Sequence, residues 1–393
     1  MAPVIIEQAT AGSRRLAPNS EWARVALAFL ATAGLFYVNI MPALVEGLIE
    51  GLGFSNREAG LVGSANIYGA AIGALVAVFL VKHIRWRRAA LMLLLTLIVL
   101  DLVSMLVKLP LVMVGLRLLH GCVGGLLVGI GFAVIARTLA PDRTFGYLLT
   151  VQFGLGGFGV MLLPPLVPVY GTSVLFLALI VFNLATLAML PFLDDYPVAV
   201  RSADAPPPAA IRWPPLLAVL FALFLFQAAN MGLYAFIIGM GKHYGLGMGF
   251  ISPTLGAAAW VGIIGSMLVV VMATRYGRRW PLFLGMSLTI VGTALLHWSD
   301  QPWAFLLANC GVGITWAFVI PYLLGMCAHF DPVGQMASLG GFASKMGLAS
   351  GPLLAAMFLG DNRYDLVINA AVIALVVCTV VTMRPAALLD RSA

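Results

Sequence analysis

Five ionisable side chains stand within long apolar runs of this sequence, Asp101, Arg117, His120 and Lys345 well inside and Glu46 near the outer end of its run. A charge held in hydrocarbon is costly, so groups of this kind mark ion, proton or substrate pathways by default. Arg117 and His120 are three residues apart and share one face of a helix. Asp101 and Arg117 each lie about seven residues from the turn Lys108-Leu109-Pro110, which sets them at similar depth in neighbouring segments. Three uses are open to the pair: a static bridge that fixes the hairpin, an arginine that grips a substrate anion, or an ion pair whose opening is linked to protonation. Lys345 is too deep for its head to snorkel to water. Its small neighbours Ser344, Gly347 and Ser350 suit a wet path. It reads as a cavity cation, a ligand for an anion or a coupling site, or else as a lysine bonded to helix carbonyls. Glu46, with Glu50 beyond it, suits an outer gate or a proton acceptor. His120 has the one side-chain type that ordinarily titrates near neutrality.

Neutral polar groups recur in the same runs. Asn39 and Tyr37 fall in the first, Gln152 in the fifth, Gln227, Asn230 and Tyr234 in the seventh, and Asn309 in the tenth. A few polar groups on an apolar wall give a pocket its specificity, and each of these residues could equally serve as an interhelical hydrogen bond. No two histidines have metal-ligand spacing and no Ser/His/Asp set or phosphate loop is present, so neither metal nor cofactor is expected and the chain does not read as an enzyme. Cys122, Cys310, Cys327 and Cys378 all sit in apolar runs without a CxxC pair and read as packing residues.

These residues need a membrane to hold them. Of 393 residues, 62% are hydrophobic and 9% charged, with a mean hydropathy of +1.04. Ordinary soluble domains are nearer half apolar and a quarter charged, and outer-membrane barrels alternate. The pattern therefore predicts an all-α integral membrane protein. A span needs about 20 residues, and twelve fit, from 23–45 at the start to 365–383 at the end. With the N-terminus inside, the inner segments carry sixteen lysines and arginines and the outer loops four. That asymmetry puts both termini in the cytoplasm. The net charge of +7 is explained by the same bias and does not call for nucleic acid. No signal peptide is expected at residues 1–21.

A polar, proline-rich stretch at 193–213 suits an extended linker. It separates a six-helix bundle at 23–192 from another at 214–383, with cytoplasmic tails at 1–22 and 384–393. The halves echo each other weakly. Arg87-Arg88 follows the second span and Arg278-Arg279 the eighth, and the same offset of 191 residues carries Asn39 onto Asn230.

This arrangement resembles the major facilitator superfamily. Its loop motif after spans two and eight, G-x-x-x-D-R/K-x-G-R/K-R/K, is matched by Arg275, Gly277, Arg278 and Arg279, with Val270 and Thr274 where Gly and Asp are expected. The first half keeps Arg87 and Arg88 but has Phe79, His83 and Trp86 for Gly, Asp and Gly. The span-four motif R-x-x-Q-G-x-x-x-A is similar to Arg117-Leu-Leu-His120-Gly121-Cys-Val-Gly-Gly125. The resemblance implies two pseudo-symmetric bundles, a midplane cavity lined mainly by spans 1, 4, 7 and 10, and alternating access by rocking of the halves. It makes the basic loops a cytoplasmic gate.

The expected function is secondary transport of a small organic solute across an inner membrane by a multi-pass monomer, with a co-transported proton. Arg117 and Lys345 favour an organic anion, bound with Asn39, Asn230, Gln227, Gln152, Tyr37, Tyr234 and Asn309. Asp101, His120 and Glu46 are the proton-coupling candidates. An exporter of hydrophobic compounds is the alternative, and a non-transporting membrane sensor or enzyme is further off.

Overall fold

The computed structural model describes residues 15–81, 83–139, 141–196, 212–272, 275–330, 335–360 and 362–391. Most of the linker (197–211), the start of the N-terminal tail and Thr274 of the second loop motif lie outside them. The described chain is helical. In order, α1 is Glu21–Ala33, α2 Phe36–Asn39, α3 Met41–Leu52, α4 Asn56–Leu80, α5 Trp86–Leu106, α6 Pro110–Ile135, α7 Pro141–Tyr170 and α8 Ser173–Met189. There follow α9 Trp213–Ala235, α10 Ile237–His243, α11 Met248–Met272, α12 Arg279–Leu295, α13 Pro302–His329, α14 Gln335–Leu359 and α15 Tyr364–Asp390.

Eleven of these helices are long and apolar enough to cross a membrane. The expected first span is instead divided into α1, α2 and α3, so no single helix there reaches that length. Pro42 near the start of α3 lacks the N–H that would continue the ladder, and Ile40 leaves helical geometry with ψ 17°. A second break falls at Phe236 between α9 and α10. The stretch 384–390, expected as tail, continues α15 through Pro385 to Asp390.

Local signals explain most helix ends. Ser55 and Glu58 form a reciprocal capping box at the start of α4. Gly53 ends α3 with φ 70°, a conformation that glycine adopts without penalty. Large apolar side chains line the outside of the helices, as Met92, Leu95, Val99 and Leu102 do on α5. Trp22, Trp213, Trp298 and Trp303 are exposed near helix ends, as interfacial anchors should be.

Packing sorts the helices into two groups, α1–α8 and α9–α15. Within the first, α4 and α6 lie backbone to backbone. A Cβ on Gly121 would stand 1.9 Å from the Asn66 carbonyl oxygen, and one on Gly73 2.0 Å from that of Cys122. Small residues let helices approach in this way where the solvent offers no hydrophobic drive.

The groups meet along α4–α14 and α7–α11. The meeting points lie toward the end of the molecule opposite the arginine-rich turns. There Gly60 abuts Pro352 and Ala356, and Asn56 Nδ2 donates to Asn362 Oδ1 at 3.1 Å. Deeper in, the hydroxyls of Tyr68 and Ser350 are 2.7 Å apart and Trp260 Nε1 donates to the Gly154 carbonyl at 3.1 Å.

At the basic end the ties join residues of one group. Arg15 pairs with Asp195 at 2.8 Å and Arg87 with Asp195 at 3.4 Å. Hydrogen bonds from Arg15 hold the Asp195 carboxyl below the usual carboxylate range, with Arg87 adding to the effect. In the second group, the backbone N–H groups of Arg278 and Arg279 donate to Asp390 at 2.7 and 2.9 Å. The loop motif has no acid of its own at either copy. The structure supplies one from the coil beyond α8 in the first group and one from the last residue of α15 in the second.

Candidate functional site

Between the two groups lies a cavity of about 330 Å³. The first group contributes Val38 and Asn39 from the broken first span and Leu149, Gln152, Phe153 and Gly156 from α7. The second contributes α9, α11 and α13, with Leu348 from α14. The wall is mostly apolar and none of its residues is charged. Six of the expected binding residues line it: Asn39, Gln152, Gln227, Asn230, Tyr234 and Asn309.

The polar groups of the wall are held by neighbours. Tyr234 Oη donates to the Asn39 carbonyl at 3.0 Å, which ties the two breaks together across the groups. Asn39 Nδ2 donates to the Gln152 carbonyl at 2.7 Å. Trp316 Nε1 donates to Gln227 Oε1 and Gln227 Nε2 to Ser344 Oγ, each at 2.7 Å. Each end of the Gln227 amide therefore has a partner, which makes it a brace between α13 and α14. Trp316 also meets Tyr234 edge-on, ring centroids 5.9 Å apart.

Arg117, Tyr37 and Lys345 do not line this cavity. Arg117 points into the first group, fully buried. Its guanidinium donates to Asp101 Oδ1 at 2.8 Å, to the Leu100 carbonyl at 3.3 Å and to Ser104 Oγ. The rings of Tyr37 and Phe176 flank it at 5.9 and 5.2 Å. Lacking a spare face toward the cavity, it is not placed to hold a solute.

His120 completes this cluster, with Nε2 3.4 Å from Asp101 Oδ2. Asn66 fixes its protonation. The Asn66 amide nitrogen donates to the Arg117 carbonyl at 3.2 Å and also faces His120 Nδ1 at 2.9 Å. A carbonyl only accepts, so Nδ1 must accept as well, and the ring is neutral with its proton on Nε2, facing Asp101. The four-residue α2 joins the two regions: Tyr37 lies against Arg117 and Asn39, two residues on, against the cavity.

Lys345 is part-exposed on α14 and has no ion pair or hydrogen bond among the described residues. Leu348, three residues on, lines the cavity. Pro352 and Ala356, seven and eleven residues on, pack against Gly60 of the first group. These spacings share a helix face, so Lys345 faces the space between the groups on the basic side of the cavity.

Glu46 pairs with Lys242 at 3.1 Å, and Glu50 pairs with the same ammonium. This triad ties α3 to α10 at the end opposite the arginines. Sequence reading left Lys242 as a loop cation, because the register that brings it to two glutamates depends on the break at Phe236. Lys242→Glu sets like charges together and should weaken closure there by about 2 kcal/mol. That is a roughly thirtyfold change in a two-state ratio. Spin labels on Arg57→Cys and Arg363→Cys, both at exposed positions, should report a longer distance in the variant. An unchanged distance distribution would show that the triad is no latch.

Against known proteins, residues 25–356 match the Major Facilitator Superfamily. The fold is similar to the crystal structure of a mutant of the nucleoside transporter NupG, with a TM-score of 0.70 at 14% identity. The match covers 92% of this chain and 98% of that one.

Proposed function

Because the chain belongs to the major facilitator superfamily, and is thus a membrane transporter by family and fold, we propose that it moves a small organic solute by alternating access, driven by a co-transported proton. One observation carries this reading. The cavity is walled by both helix groups, and the ties that span the groups gather at one end of it. Rocking about such an arrangement exposes the cavity to one side at a time.

The excess of basic residues assigns the arginine-rich end to the cytoplasm of an inner membrane, so the conformation described is inward-facing and Lys345 stands at the cytoplasmic approach. The two six-helix bundles, with twelve spans counting the broken first one, move as the rocking units. Protonation acts at the Asp101–Arg117–His120 cluster, where Asp101 Oδ2 and His120 Nε2 lack a hydrogen-bond partner. A change there is felt at Tyr37 and passes along α2 to Asn39.

The test is solute-driven proton flux in proteoliposomes that hold a pH-sensitive dye. Flux that follows added solute and vanishes when the gradient is collapsed supports coupling. Solute uptake that ignores the gradient would remove it.

An organic anion is favoured by a single feature, the unpartnered Lys345. If it grips a carboxylate, Lys345→Gln should raise KM for the carboxylate solute by roughly tenfold or more, the worth of one charge-assisted hydrogen bond. The uncharged analogue should be unaffected. Equal loss for both would show that the lysine only shapes the cavity.

A further inference from the structure

A second cavity, of about 710 Å³, opens at the basic end of the first group, between the turn that leads into α5 and the segment that follows α8. Arg15, Arg85, Arg87 and Arg88 line it, with Asp195 the one carboxylate among the lining residues. Two of the guanidiniums are answered. Arg15 pairs with Asp194 at 3.2 Å and with Asp195 at 2.8 Å. Arg87 donates to the Pro191 carbonyl at 3.0 Å and pairs with Asp195. The two acids thus balance Arg15 and Arg87. Arg85 and Arg88 are exposed and have no ion pair or hydrogen bond among the described residues. Their two positive charges are left over in a concave site.

Away from the arginines the wall turns apolar. Arg85, Arg88, Leu91 and Leu95 follow one another at three- and four-residue steps and so form one stripe along α5. Leu91 lines the cavity, and both leucines are exposed. From α8, which packs against α5, Leu187 lines the cavity and Leu184, a turn deeper, is exposed. The helices run in opposite directions, so both stripes descend from the arginines into the bilayer. The floor is fixed by buried Trp86, whose Nε1 donates to the Asp195 carbonyl at 2.6 Å. The corresponding turn of the second group is closed on itself. Asp390 takes the N–H groups of Arg278 and Arg279, Arg278 is buried with its guanidinium 2.9 Å from His329 Nε2, and the Arg279 guanidinium lies over the Trp280 ring at 5.8 Å. Membrane topology would call for basic charge at both turns alike. Only the first sets two unanswered guanidiniums above an apolar furrow.

We propose that this cavity binds an anionic phospholipid, with its phosphodiester on Arg85 and Arg88 and its acyl chains along Leu91, Leu95, Leu184 and Leu187. A guanidinium offers two N–H groups to two phosphate oxygens at once. The lipid supplies in one molecule the anion that the arginines lack and the hydrocarbon that the leucines face. A zwitterionic headgroup brings its own cation and leaves the surplus charge standing, so it binds less well. Free phosphate answers the arginines alone. The site does not depend on which solute the central cavity carries.

The experiment is native mass spectrometry of the delipidated full chain, titrated in detergent with dioleoylphosphatidylglycerol or dioleoylphosphatidylcholine. The first phosphatidylglycerol should bind more tightly than phosphatidylcholine, and excess inorganic phosphate at matched ionic strength should not displace it. Arg85→Gln/Arg88→Gln should weaken that first binding event by roughly tenfold or more. Arg275→Gln/Arg384→Gln removes two exposed arginines from the same end of the second group and should leave it unchanged. Equal loss in the two double variants would reduce the effect to general surface charge and overturn the proposal. Equal binding of phosphatidylcholine would do the same. Displacement by phosphate would make the site one for a free anion and remove the lipid. The preference of the parent chain is read without any variant, so the test stands even if a substitution impairs folding.

Discussion

Asp101→Asn should lower stability by about 3–5 kcal/mol, because it leaves the Arg117 guanidinium buried and uncompensated. Both side chains are fully buried, and the carboxylate faces the guanidinium on one oxygen and His120 on the other. Domains are typically stable by only ~5–15 kcal/mol, so much of the folded population would be lost. Melting of the purified variant in detergent reads this directly. The double variant Asp101→Asn/Arg117→Met, which removes both charges, should recover most of the loss. If the single variant melts like the parent, Arg117 has another counter-ion and the cluster is misread. Transport by the protein that remains folded separates the roles. A pH dependence that survives Asp101→Asn would make the pair a brace, and one that disappears would make it a proton site.

Gly121→Ala should be nearly as damaging although it adds a single methyl group. That methyl would lie 1.9 Å from the Asn66 carbonyl oxygen and 2.7 Å from its carbon. Both are backbone atoms, so no side-chain rotation relieves the clash. Helices α4 and α6 must move apart, and overpacking of this kind costs about 3 kcal/mol or more. Asn66 shifts with its backbone and releases the hydrogen bond that holds His120 Nδ1. Gly115→Ala, on the same helix with nothing within 4 Å of the added methyl, is the control and should melt like the parent. Equal melting of Gly121→Ala and the parent would mean that the α4–α6 contact is softer than its geometry implies.

The membrane-spanning character of the apolar runs was legible because lipid demands it: a run of about 20 apolar residues has few other uses. The proximity of Asp101, Arg117 and His120 was legible for a similar reason, since a three-residue turn fixes the depth of both helices and a three-residue spacing fixes the face. The rotation of α6 about its own axis was not. Its sequence is apolar all round, so periodicity does not say which side faces the cavity, and Arg117 turned inward to Asp101. The break in the first span had a signal in Pro42; the break at Phe236 had none of that kind. Six neutral cavity residues were found from their type and span, whereas the occupied state of Gln227 depends on where Trp316 and Ser344 lie in space. Asp195 and Asp390 were missed as loop partners because they lie far along the chain from the motif. Their one trace was position, each at the end of its half.

Those two acids carry a consequence for biosynthesis. The turn after α4 finds its partner Asp195 only after α8 has been made, and the turn at Arg278 finds Asp390 only after α15. Each half is thus completed by its own final residues, so the nascent first half can fasten in the bilayer before the second is translated. The second, by contrast, keeps its turn unfastened until α15 has been made. Asp390→Ala should therefore injure only the half that is made last.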